Sequence, residues 1–163
     1  MKQIQMIAAA VSMIVFSGCI FSGKPVSFVQ YTVDLPVGVK LPYRVGAVSN
    51  LSGAGRDFLV QKAGSQVKVD RSRRFLNEPD QMLRAVLSVV CTGGKGMISA
   101  QMIKFEFSPE LEKLNGVIVF TIRDGNAAKS VVCCESVKVL DNDCGKAAAM
   151  LFERCIKQIS GVK

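Results

Sequence analysis

Thiols are the reactive side chains this chain carries in number: Cys19, Cys91, Cys133, Cys134, Cys144 and Cys155, with no histidine among its 163 residues. A cysteine nucleophile acts as its thiolate, usually formed by giving a proton to a neighbouring imidazole. Without an imidazole that route closes, as do Ser-His-Asp catalysis and histidine-ligated metal sites. Zinc held by sulfur needs closely spaced pairs such as C-x₂₋₄-C, and the chain has none. The expectation is a non-catalytic protein with no metal and no cofactor. Setting Cys19 aside leaves an odd number of thiols, which cannot all pair within one chain. Neighbours Cys133 and Cys134 point to opposite faces of a strand. Cys144 and Cys155 lie about 16 Å apart along one helix, too far to bridge. Most of the five therefore read as buried apolar side chains. At least one disulfide is plausible if the chain is exported to an oxidising compartment, and its pairing stays open.

Paired carboxylates suit acid–base chemistry, and Glu110 with Glu112 and Asp141 with Asp143 are the candidates. Both pairs fall at element ends, where acidic side chains favour helix N-termini and turns, so both read as structural. Gly93-Gly94-Lys95-Gly96 is close to a phosphate loop, but a Walker loop needs G-x-x-x-x-G-K-[ST] leading from a strand into a helix. Here the glycines follow a helix and Gly96 replaces the Ser/Thr, so a helix C-cap is expected. Gly53-Ala54-Gly55 has no dinucleotide fingerprint or helix after it. Charge is the stronger signal. Lys68, Arg71, Arg73 and Arg74 crowd the segment before the first helix with only Asp70 opposing them. They suit anionic lipid headgroups or an acidic strip on a partner. Cations on a solvated connection also discourage edge pairing between sheets.

The N-terminus sets the compartment. Lys2 is followed by an apolar run from Met6 to Phe16, broken only by Ser12, and then by small Ser17 and Gly18. This is the pattern of a cleaved leader. The run falls short of the roughly 20 apolar residues that a spanning helix needs. Phe16-Ser17-Gly18-Cys19 resembles the lipobox of bacterial lipoproteins, with Phe16 where Leu is usual. In those proteins the cysteine becomes the new N-terminus and its sulfur carries a diacylglyceryl group. The resemblance implies a leader over 1–18, a lipidated Cys19 with a short tether over 19–25, and one domain over 26–163. Losing Lys2 leaves 20 basic and 13 acidic side chains, net +7. Two or more acyl chains anchor a protein stably, since each buried CH₂ contributes about 0.8 kcal/mol. Ile20 to Pro25 span at most roughly 20 Å, which keeps the domain near the bilayer. Nucleic acid is not the expected partner of such a chain, and no aromatic-rich RNP-like segment is present.

The elements follow from periodicity. Val26 to Asp34, Pro42 to Ser49 and Phe58 to Gln61 read as strands, with Tyr43, Val45 and Ala47 on one face of the second. Gln66 to Asp70 alternates Val67 and Val69 with polar residues, as a half-buried edge strand does. Asn77-Glu78-Pro79-Asp80 starts a helix, with Asn77 as N-cap and Pro79 in the first turn. Met82, Leu83, Val86, Leu87 and Val90 supply its apolar stripe. Strands are expected over Met97 to Phe107, Gly116 to Asp124 and Lys129 to Leu140, the last two joined by a hairpin at Asp124-Gly125-Asn126. A closing helix runs from near Asn142 to Ile159, with Ala148, Leu151, Phe152, Cys155, Ile156 and Ile159 on its apolar face. Two helices need a surface to cover, and one mixed or antiparallel sheet provides it. The fold class is α+β, with the Val67 and Tyr43 strands as possible edges.

That arrangement resembles the ABC-type transport auxiliary lipoproteins. Tyr31-Thr32-Val33-Asp34-Leu35-Pro36 is similar to their opening strand, and Arg74-Phe75-Leu76-Asn77-Glu78-Pro79 with its helix to their mid-chain segment. Ile103-Lys104-Phe105-Glu106 and Val119-Phe120-Thr121-Ile122-Arg123-Asp124 resemble their paired strands, and the Ala147-Ala148-Ala149 helix their closing helix. The resemblance implies an accessory subunit that partners an MCE-domain protein and ABC transporter subunits in envelope lipid transport, near the outer membrane. Ile20 lacks the Asp that, in enterobacteria-like systems, retains lipoproteins at the inner membrane. The family offers no residue with an assigned chemical role. A regulator of a cell-wall synthase is the alternative, disfavoured by the six-residue tether. A thiol enzyme using Cys133 or Cys134 is a third.

Overall fold

The computed structural model describes residues 29–33, 38–61 and 66–161. The leader, Cys19 and the tether lie outside the described residues, as do positions 26–28 and 34 of the expected first strand. Seven strands form one mixed sheet in the order β1-β4-β3-β5-β6-β7, with β2 also pairing β5. The strands are β1 (Val29–Tyr31), β2 (Leu41–Asn50), β3 (Asp57–Gln61), β4 (Val67–Phe75), β5 (Cys91–Ser108), β6 (Lys113–Asp124) and β7 (Ala127–Lys138). Helix α1 (Pro79–Val90) packs on β2 and β5, and α2 (Cys144–Ser160) on β6 and β7. The α+β expectation is met.

β5 organises the sheet. It pairs antiparallel with β6 along one flank and parallel with β2 along the other, where Val60 of β3 then meets Phe107. Its core-facing residues Ile98, Ala100 and Met102 alternate with partly exposed ones until Ile103, an extra residue at a register shift. The insertion reverses the parity, so that Phe105 and Phe107 still point into the core. On β6, Ile118, Phe120 and Ile122 line the same face, and on β7 Cys133 and Val137 do. Both helices cover this one face.

Each helix forms for local reasons. In α1 the stripe Met82, Leu83, Val86, Leu87 and Val90 is buried, as its spacing predicts. Its N-cap is Glu78 with no side-chain cap, so the expected role of Asn77 is corrected: Asn77 stands one residue too early and is exposed. Pro79 is the first helical residue, where its missing N–H forfeits no helical bond. In α2 the Asp143 carboxylate accepts the Lys146 N–H at 2.9 Å, and the apolar face read from the sequence is buried.

Three expectations are corrected here. Helix α1 ends at Cys91 and the chain turns straight into β5, so Gly93-Gly94 lies within a strand and does not cap the helix. A Cβ on Gly94 would sit 1.9 Å from the Pro42 carbonyl oxygen, so only glycine lets β2 approach there. In β2, a register shift between Val45 and Val48 puts Val48 in the core in place of Ala47. Finally, β4 runs on to Phe75. Asp70 to Arg74 are therefore part of a strand and not a solvated connection.

Aromatic rings tie the β1 side to α2. Tyr31 lies 5.6 Å from Phe58, Phe58 stacks on Phe75 at 4.5 Å, Phe75 meets Phe105 at 5.5 Å, and Phe105 stacks on Phe152 at 5.9 Å. Such pairs add about 0.5–1.5 kcal/mol each beyond the area they bury. No helix among the described residues is long and apolar enough to cross a membrane.

Candidate interaction surface

The four cations grouped by the sequence part company on β4. Between the pairs Phe58–Asp70 and Asp57–Arg74 the register jumps, so Arg71, Ser72 and Arg73 form a protrusion opposite no residue of β3. Asp70 holds it. One carboxylate oxygen accepts the Ser72 N–H at 2.9 Å and its hydroxyl at 2.6 Å. The other accepts Arg73 Nε at 3.1 Å and lies 3.1 Å from its Nη2. Burial alone would raise the Asp70 carboxyl, but the bonds from Ser72 and Arg73 outweigh it and hold it below its ordinary range. The Arg73 guanidinium also lies 4.9 Å from the Phe107 ring centroid and 5.9 Å from that of Phe58. Arg73 is thus committed to the fold, as a cation over aromatic faces and a partner of Asp70.

Arg74 sits opposite Asp57 in the ladder and is half-buried. Lys68 and Arg71 remain exposed, with Arg71 within the protrusion. Val67 and Val69, expected to be half-buried, are each 47% exposed. The reason is the register: Val69 pairs with Leu59 and Val67 with Gln61, on the face opposite buried Phe58, which the helices do not cover. β4 is also not a simple edge strand, because β1 pairs with it over Val29–Arg73, Gln30–Arg74 and Tyr31–Phe75. The Leu76 N–H continues that contact to the Tyr31 carbonyl at 2.9 Å. The chain thus enters the described structure beside its basic strand. The Asp-x-Ser spacing of Asp70 and Ser72 is the sequence signal of such a side-chain-held turn.

The thiols occupy quite different places. Cys133, Cys144 and Cys155 are fully buried, Cys91 is partly exposed and Cys134 is exposed, so the vicinal pair does straddle the sheet. All five are free, and the Cys133 thiol donates to the Cys155 carbonyl at 3.6 Å. Burial pushes the Cys144 thiol up to about 11 and raises Cys133 and Cys155 as well, which opposes thiolate formation at these three positions. Among the described residues no cluster of three metal-ligating side chains occurs. Glu112 closes the β5–β6 turn, where its N–H reaches the Pro109 carbonyl at 3.3 Å, and Asp143 caps α2.

These features define a one-layer mixed sheet with two helices on one face and a basic, partly apolar strand beside the chain's point of entry. In fold it is similar to the crystal structure of an uncharacterized protein, with TM-score 0.61 and 12% identity over 83% of this chain and 96% of that one. It is also similar to a Xanthomonas campestris protein of the DUF330 family model, with TM-score 0.51 and 11% identity over 82% of this chain and 90% of that one. At such identities the likeness concerns the fold alone. No family model and no curated protein sequence matches the chain.

Proposed function

We propose that the chain is a lipid-anchored, non-catalytic accessory subunit of an ABC/MCE-type envelope transport system for lipids or other hydrophobic compounds. It sits on the periplasmic face of the outer membrane and couples the machine to it. The observation that carries this reading is Cys19 at the end of Phe16-Ser17-Gly18-Cys19, ten positions ahead of the first strand residue, Val29. The raised thiols of Cys133, Cys144 and Cys155 agree with a binding role, because buried neutral sulfur serves packing better than catalysis.

Mass spectrometry of the mature protein tests the anchor: acylated Cys19 is the expected start, and an unmodified start at another residue refutes it. Crosslinking in intact cells followed by purification tests the assembly. Recovery of MCE-domain and ATPase subunits supports it. Repeated recovery of a glycan polymerase in their place would turn the reading to a cell-wall synthase regulator.

A further inference from the structure

Lys68, Arg71 and the two exposed valines beside them lie where the anchor would bring a bilayer. β1 runs parallel to β4 with Val29 opposite Arg73, so β1 enters the sheet from the Val67 end of β4. Nine residues separate Cys19 from Val29, a span of at most about 36 Å when fully extended. Any bilayer holding Cys19 is therefore within that distance of Val29 and of the strand paired to it.

The chemistry of the strand fits such a neighbour. Asp70 and Arg73 neutralise one another at 3.1 Å, so the charge left facing outward is that of Lys68 and Arg71. Val67 and Val69 are 47% exposed and project from the opposite face of the same strand edge to Lys68, and Val29 is 54% exposed on β1. Apolar side chains set among cations are the composition of surfaces that settle into the headgroup region. The acidic turn residues Glu110 and Glu112 follow β5, which β3 separates from β4, while Asp141 and Asp143 line a pocket beside Val29 together with Lys146. Tethering also makes the contact intramolecular, and a weak affinity then suffices to orient the domain.

We infer that the edge of β4 ahead of its pairing with β1, with Lys68 and Arg71 as its cations and Val67 and Val69 as its apolar side chains, is where the domain rests on an anionic phospholipid surface, an inference that builds on the lipid-anchor reading. The edge orients the domain.

The test uses the full chain with Cys19→Ala, so that no acyl chain contributes, in flotation with two vesicle types. One contains phosphatidylglycerol and phosphatidylcholine, the other phosphatidylcholine alone. The leader is common to every variant and cancels in the ratio of the two affinities. Each basic residue near an anionic surface is worth about a fivefold change, so Lys68→Ala/Arg71→Ala should cut the preference for anionic vesicles about 25-fold. Arg84→Ala/Lys95→Ala removes the same charge from α1 and the other end of β5 and should leave the preference within about twofold. Equal losses in the two pairs, or an unchanged preference in the first, overturn the inference while leaving the anchor standing. An unacylated Cys19 in the mature wild-type protein overturns it by removing its tether.

Discussion

Arg73 reaches Asp70 with two nitrogens of its guanidinium, Nε and Nη2, each 3.1 Å from the same carboxylate oxygen. Three residues apart on one strand, they close the protrusion that puts Arg71 in solvent. The pair turns a run of four cations into two that build the fold and two that face outward.

Asp70→Asn should therefore loosen the protrusion and cost about 1–2 kcal/mol at neutral pH, measured by urea denaturation. The acid limb gives a second readout. The folded carboxyl titrates below its usual value, so its contribution is complete above the unfolded pKa near 3.8 and disappears as pH falls through the lower folded value. Wild type should lose more stability than Asp70→Asn between pH 5 and 2. Parallel acid limbs would show that Asp70 does not hold the turn.

Phe75 is only 2% exposed and touches Tyr31, Phe58 and Phe105. Phe75→Ala should cost about 3–5 kcal/mol in chemical denaturation. Phe75→Leu, which keeps most of the volume, should recover more than half of that loss. A Phe75→Ala midpoint close to wild type would mean that the ring column is not a structural spine.

Gly94→Ala places a methyl 1.9 Å from the Pro42 carbonyl oxygen. β2 must move away from β5, and the melting temperature should drop by at least 5 °C. Gly93 has φ +83 but nothing near its absent Cβ, so Gly93→Asn should be milder, within about 2 °C. Calorimetry on the two variants separates steric approach from backbone conformation.

Thiol labelling at pH 8 should modify Cys134 quickly in the folded protein and Cys144 and Cys155 only after unfolding. Burial holds Cys144 near 11, above the unfolded value near 9. Its stability contribution is intact below pH 9 and is lost as pH rises towards 11. Cys144→Ala should flatten the alkaline limb of the pH–stability curve. Rapid labelling of Cys144 at pH 8 without denaturant would contradict the burial.

The parts legible from sequence were those with a strong period. Leu151, Phe152, Cys155, Ile156 and Ile159 follow a helical face, and burial agrees at every position. Cys133 and Cys134 alternate as a strand requires. The continuation of β4 was hidden, because Arg71 to Arg74 carry no apolar alternation and Arg73 is held half-buried by Asp70 and two rings. Gly93 and Gly94 read as a helix stop because the same residue type serves caps and close strand contacts. Only the neighbouring Pro42 distinguishes them, and it lies 52 positions away. The two outward cations were visible as a cluster, but which two depended on the register jump opposite β3.

The 18-residue β5 also dictates an order of assembly. Leu41 of β2 finds its ladder partner at Cys91, and Val60 of β3 finds its own at Phe107. As the polypeptide emerges vectorially, β2 has nothing to zip onto until the template strand arrives some fifty residues later. While β3 and β4 can close their own antiparallel ladder, β2 must wait, and pulse-labelled amide exchange should record β2 and β5 gaining protection in the same kinetic phase.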